Sequence, residues 1–124
     1  MLGDNDAVAT IAVKSIDAAR KFYSDVLRLA PGESRESQVL TYKSGSTRIL
    51  VYQSQFAGTN KATAVTWPVA DVEAEVKLLR GRGVQFEHYD FPGMTRNGDI
   101  HDTGRGKAAW LKDPDGNILA VVSR

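Results

Sequence analysis

The sequence contains no cysteine. That excludes a disulfide framework, a thiolate metal site and a thiol nucleophile. An excess of one charge is also missing. The 16 Lys and Arg stand against 15 Asp and Glu, for a net charge of +1, whereas a nucleic-acid-binding protein is expected to carry a basic excess on one face. No uninterrupted apolar run approaches the ~20 residues that a membrane-spanning helix needs. The first ten residues show neither a basic start nor an apolar stretch, which reads against a secretion signal, so the expected location is cytoplasmic. Histidine occurs only twice, leaving few residues for imidazole chemistry.

The residues that are present suit a folded domain: 42% hydrophobic and 25% charged. A chain of 124 residues makes one ordinary domain and buries roughly two thirds of its unfolded surface.

Sliding the chain against itself by 56 residues exposes a repeat. Thr10 falls on Thr66, Val13 on Val69, Ala18 on Ala74 and Lys21 on Lys77. The matching pattern is broader than these identities: a strand, a helix cap, then an amphipathic helix. In the first half, residues 7–13 suit a strand and Ser15 suits an N-cap. Ile16, Ala19, Phe22, Tyr23, Val26 and Leu27 give one apolar helical stripe. Pro31-Gly32 is expected to stop that helix. Strands are expected at 33–36, 39–43 and 47–53, with Ser44-Gly45-Ser46 as a turn. In the second half, 62–69 reads as a strand, Asp71 as an N-cap, and Val72, Val76 and Leu79 as the stripe of a helix ended by Gly81 and Gly83. A strand at 84–90 follows. Residues 107–112 and 117–122 then form a hairpin about Asp113-Pro114-Asp115-Gly116, where Pro presets one turn angle and Gly supplies the positive φ after it. The expected organisation is a single domain, 1–124, with module one at about 7–54, a linker at 55–61 and module two at 62–124. Residues 91–106, with four glycines and little periodicity, form an expected lid loop.

Two motifs carry a family resemblance: Val13-x-x-Ile16-(x5)-Phe22-Tyr23-(x3)-Leu27, and Trp110-Leu111-Lys112-Asp113-Pro114-Asp115-Gly116-Asn117. With the repeat, they resemble the vicinal oxygen chelate superfamily, which includes glyoxalase I, extradiol dioxygenases, and fosfomycin and bleomycin resistance proteins. The resemblance implies an α+β fold, two βαβββ modules forming a curved mixed sheet cup with helices outside. It also implies a homodimer and a small-molecule ligand.

Metal-using members hold a divalent ion through His or Glu from the first and last strands of each module, as the resemblance implies. Counting from the helix signatures puts two of these positions at Val8 and Ala64; the family's Asp-Pro-Asp-Gly-Asn-x-x-Glu pattern puts the last at Ala120, four residues after Gly116, with Val51 or Gln53 as the fourth. Val8, Ala64 and Ala120 offer no donor, so no metal site and no cofactor is expected at those positions. The expected function is therefore metal-free binding of a small organic molecule in the cup. The expected ligand-binding residues are Trp110, Tyr52, Gln53, His101 and Arg96. Alternation turns Trp110 and Ala120 toward the cup, and Leu111, Leu119, Val121 and Trp67 toward the helices. His101, flanked by Asp99 and Asp102, is a candidate base or a solvent-facing loop residue. His88 reads as a structural strand residue, and Tyr42 and Arg48 as packing or surface residues. The alternatives are a metal-dependent lyase, isomerase or dioxygenase with ligands relocated to His88 or His101, and a non-catalytic interaction scaffold.

Overall fold

Alternation of side chains builds the first sheet. In β1 (Ala9–Val13), Ile11 and Val13 are buried, while Thr10 and Ala12 face the other way. β1 runs parallel to β4 (Thr47–Gln53), and β4 pairs antiparallel with β3 (Val39–Ser44). β2 (Ala30–Pro31) closes the edge, where the missing proline N–H costs no ladder bond. These observations come from a computed structural model that describes residues 1–34 and 36–124.

Between β1 and β2 lies the first helix. Ser15 caps it by accepting from the Ala18 N–H at 3.2 Å, and α1 (Ile16–Arg20) continues into a π-helical turn over Lys21–Val26. Ala19 and Tyr23 are buried, with Ile16, Phe22, Val26 and Leu27 packed against them. The helix ends before Pro31-Gly32. The Leu27 N–H reaches Phe22 O and the Leu29 N–H reaches Tyr23 O, a closure that requires a left-handed residue between them. That residue is Arg28, at φ +60°. Sequence reasoning misplaced the stop because such a position is ordinarily glycine. Pro31 instead lies in β2, opposite Tyr42. No strand forms at Glu33, Ser34 or Glu36; Arg35, within that expected strand, lies outside the described residues.

The second sheet repeats the plan. β5 (Thr63–Val69) is parallel to β10 (Ile118–Ser123), which is antiparallel to β9 (Lys107–Lys112). Asp71 caps α2 (Val72–Gly81) at the Ala74 N–H, and Val72, Val76 and Leu79 are buried. The strand expected at 84–90 shrinks to β6 (Phe86–Glu87), paired with β9. The expected loop at 91–106 contains a hairpin, β7 (Thr95–Asn97) and β8 (Ile100–Asp102), with Gly98 at φ +64° in its turn. Sparse apolar alternation concealed it, because β7 is wholly exposed. β8 joins β9 and extends the sheet.

The two sheets are separate, with orders β1-β4-β3-β2 and β5-β10-β9-β8-β7. Each helix covers one face of its own sheet. The residues on those faces merge into one apolar cluster that runs from Ile11 and Val51 to Leu111, Leu119 and Val121. Neither α1 nor α2 covers the opposite faces.

Candidate functional site

Strand pairing settles which residues occupy the helix-free faces. Thr10 pairs with Leu50, and Thr66 with Ala120. Thr66 is the repeat counterpart of Thr10, so Leu50 is the counterpart of Ala120. This corrects the expected choice between Val51 and Gln53. Val51 is fully buried in the core, and Gln53 pairs with Val13 on the core side, donating its amide to Lys14 O at 3.1 Å. Gln53 is therefore not a lining residue of the helix-free face. The four positions that the family resemblance implies for a metal are thus Val8, Leu50, Ala64 and Ala120. None has a side-chain donor atom, so the residues present do not fit the superfamily's divalent ion there. Among the described residues, no group of three or more His, Cys, Asp or Glu side chains comes together to hold a metal.

The helix-free face of the second sheet instead carries an aromatic cluster. Trp110 pairs with Ala120 and Glu87, and His101 with Ala108 and Arg96. Ala108 and Ala120 leave room for large neighbours. The His101 ring lies 4.8 Å from the Trp110 ring, edge to face, and Tyr89 stands 5.3 Å from Trp110. Phe91 extends the cluster from Tyr89 at 6.0 Å. Burial, then the charge of Glu87, pushes the Tyr89 phenol above its ordinary range.

His101 is fully buried. Its Nε2 accepts from the Tyr89 N–H at 2.9 Å. In the neutral ring the proton is then on Nδ1, and Nδ1 has no hydrogen-bond partner among the described residues. A buried donor without an acceptor costs about 1–3 kcal/mol, and such groups mark sites of special purpose. The solvent-facing reading of His101 is therefore overturned: β8 carries it under Trp110.

His88, expected on a strand, lies just past β6 and is partly exposed. It shares the Asp99 carboxylate, at 2.7 Å, with Arg80 at 2.6 Å. The His88 hydrogen bond, helped by Arg80, holds the Asp99 carboxyl below its ordinary range despite partial burial. This trio clamps the β7–β8 turn to α2. Arg96 is exposed beside His101 on that hairpin and donates to Gly98 O at 2.8 Å. Trp110, His101 and Arg96 thus share one face. Tyr52 lies on the helix-free face of the other sheet, opposite Ala12 and Val39. Tyr42 is buried in the core at 2.8 Å from Ser24 Oγ.

The Asp-Pro-Asp-Gly-Asn turn has a structural role that its sequence did not reveal. Buried Asp113 accepts from Tyr23 Oη at 2.7 Å, from Asn117 Nδ2 at 2.8 Å and from the Asp115 and Asn117 N–H groups at 2.9 Å. Asn117 also donates to Ala12 O, and Asp115 accepts from the Lys14 N–H. Burial first, and then Asp113, push the Tyr23 phenol far above its ordinary range. The motif therefore locks module two onto module one.

The sequence model of the Glyoxalase/Bleomycin resistance protein/Dioxygenase superfamily matches residues 6–121. The chain belongs to that superfamily. Solved structures agree on the fold. A glyoxalase family protein from Enterococcus faecalis superposes with a TM-score of 0.73 at 19% identity, covering 99% of this chain and 100% of that one. Lactoylglutathione lyase from Agrobacterium tumefaciens gives 0.69 at 19% identity, covering 96% and 92%. A bleomycin-binding protein complexed with bleomycin gives 0.71 at 16% identity, covering 97% and 98%. No curated protein matches the sequence. No helix among the described residues is long and apolar enough to cross a membrane.

Proposed function

We propose that this superfamily member is a metal-free binding protein for a small planar organic molecule. The observation that carries the reading is the buried His101 Nδ1, which has no hydrogen-bond partner among the described residues and lies beneath the Trp110–Tyr89 aromatic pair. Trp110 offers a flat wall for stacking. His101 offers one directed donor, and Arg96 offers a planar cation suited to an oxygen-rich group. The hairpin that carries Arg96 and His101 forms one edge of this face. Val8, Leu50, Ala64 and Ala120 support the metal-free reading, since they remove the donors a Lewis-acid site would use.

The second half of the site comes from a partner copy. Tyr52 and Val8 expose a partly apolar helix-free face on the first sheet, and a homodimer places that face against the cluster of a second chain. Light scattering tests this, with a dimer mass of twice 13.5 kDa expected; a monomer overturns it.

Bleomycin, held by one structural relative, is the first probe. Binding is read from Trp110 emission in a Trp67→Phe background, alongside elemental analysis of untagged protein. Ligand-dependent quenching with no bound metal, reduced in His101→Ala, is the expected result across a panel of planar compounds. A stoichiometric divalent ion that disappears in His101→Ala overturns the reading in favour of relocated metal chemistry. The absence of any ligand response across the panel overturns it in favour of a scaffold.

A further inference from the structure

A cavity of about 450 Å³ lies on the helix side of the second sheet, remote from the Trp110 face. Its walls are Leu27, Leu29, Trp67, Leu79, Leu111 and Val121, so both modules contribute. Such a volume is in the range of small-ligand pockets. Three charged residues line it: Arg28, Glu75 and Lys43, the last at the β3 edge, where it also borders the pocket beside Arg48. Arg28 and Lys43 make no ion pair among the described residues. Two cations against one carboxylate leave one unit of positive charge beside an apolar chamber.

Arg28 is held there at a cost. It is the only described non-glycine residue with positive φ, +60°, a conformation that costs a side-chain-bearing residue about 1–2 kcal/mol. The helix closure made by the Leu27 and Leu29 N–H groups dictates that backbone, and strain of this kind concentrates at functional positions. The indole N–H of Trp67 is already committed to Ser44 Oγ at 2.8 Å. Its ring therefore stands as an apolar wall, and the polar recognition falls to Arg28 and Lys43.

We propose that this cavity is a second ligand site, which takes a small amphipathic monocarboxylate. The apolar tail lies between Trp67, Leu79 and Leu111, and the carboxylate meets Arg28 and Lys43. The site is independent of the proposed Trp110 face, because the two tryptophans lie on opposite sides of the second sheet.

Decanoate is the probe, titrated into the full-length protein, and the readout is the pair of indole N–H resonances in a proton–nitrogen spectrum. Trp110→Phe assigns the two peaks. The Trp67 resonance is expected to shift saturably while that of Trp110 stays in place. Decanol, which lacks the charge, is expected to bind at least about tenfold more weakly, as loss of a charge-assisted contact predicts. Arg28→Gly relieves the φ strain and keeps the fold, yet is expected to weaken decanoate about fivefold or more. Lys43→Gln, on an exposed edge, acts in the same direction. Lack of a saturable Trp67 shift, equal binding of decanol, or undiminished affinity in both variants overturns the proposal. A shift of Trp110 alone also overturns it, and assigns decanoate to the other face.

Discussion

The two joints between the modules are built on one plan and filled differently. At the first, the β9–β10 turn reaches the end of β1, and Tyr23 runs into it to donate to buried Asp113. At the second, the β3–β4 turn reaches β5, where the Trp67 indole N–H donates to Ser44 Oγ. The repeat counterpart of Tyr23 is Leu79, which lines the cavity at the second joint instead of filling it. The first joint carries a buried polar network beside a cavity of about 380 Å³ bordered by Asp113 and Pro114, and the second a cavity of about 450 Å³ that reaches Trp67 and Leu79. The difference teaches that an internal repeat conserves backbone placement, while the side chains decide whether the contact between modules is a polar network or an apolar one.

The largest expected effect breaks the lock. Asp113→Ala strands Tyr23 Oη and the turn amides, and is expected to cost about 3 kcal/mol or more, read as a fall in urea midpoint. Tyr23→Phe removes one donor and is expected to cost about 1–2 kcal/mol. At the second joint the expected order depends on volume. Leu79→Ala enlarges the cavity and is expected to cost about 2–3 kcal/mol, whereas Leu79→Phe fills it and stays within about 1 kcal/mol of the parent. If Leu79→Phe proves as costly as Leu79→Ala, the counterpart argument fails. Ser44→Ala removes only the indole contact and is expected to cost about 1 kcal/mol. A double-mutant cycle with Trp67→Phe checks that the two changes are coupled.

The smallest expected effect concerns the β7–β8 hairpin, which has no counterpart among the described residues of module one. The folded Asp99 carboxyl titrates below its ordinary range because His88 and Arg80 hold it ionised. Its contribution to stability is therefore present above the ordinary carboxylate range and is lost as pH falls through the depressed value. Asp99→Asn is expected to cost about 1 kcal/mol or less near neutrality and to flatten the acid limb of the urea-midpoint profile. An unchanged acid limb would show that the clamp is not coupled to folding.

Much of the architecture was legible because it is local. Ser15 and Asp71 cap helices through their own side chains within three residues. The apolar stripes and the hairpin about Pro114-Gly116 likewise depend on neighbours along the chain. The missing metal donors at Val8, Ala64 and Ala120 were also visible, since a count from the helix signatures and the turn motif reaches them. The register of β4 was not legible: Val51 and Gln53 alternate correctly with each other, and only the pairing of Thr10 with Leu50 shows that both face away from the cup. Arg28 gave no sign of a helix end, because a left-handed terminus ordinarily announces itself as glycine.

The sequence by itself determined the repeat, the fold class, the caps and the lack of side-chain donors at Val8, Ala64 and Ala120. These follow from periodicity and residue chemistry acting over a few positions. The tertiary structure alone decided that His101 is buried beneath Trp110, that Asp113 locks the modules, and that Leu79 borders a cavity at the repeat position where Tyr23 meets Asp113. Each of these depends on side chains that meet across distant segments, and burial, hydrogen-bond satisfaction and free volume exist only once those segments are packed.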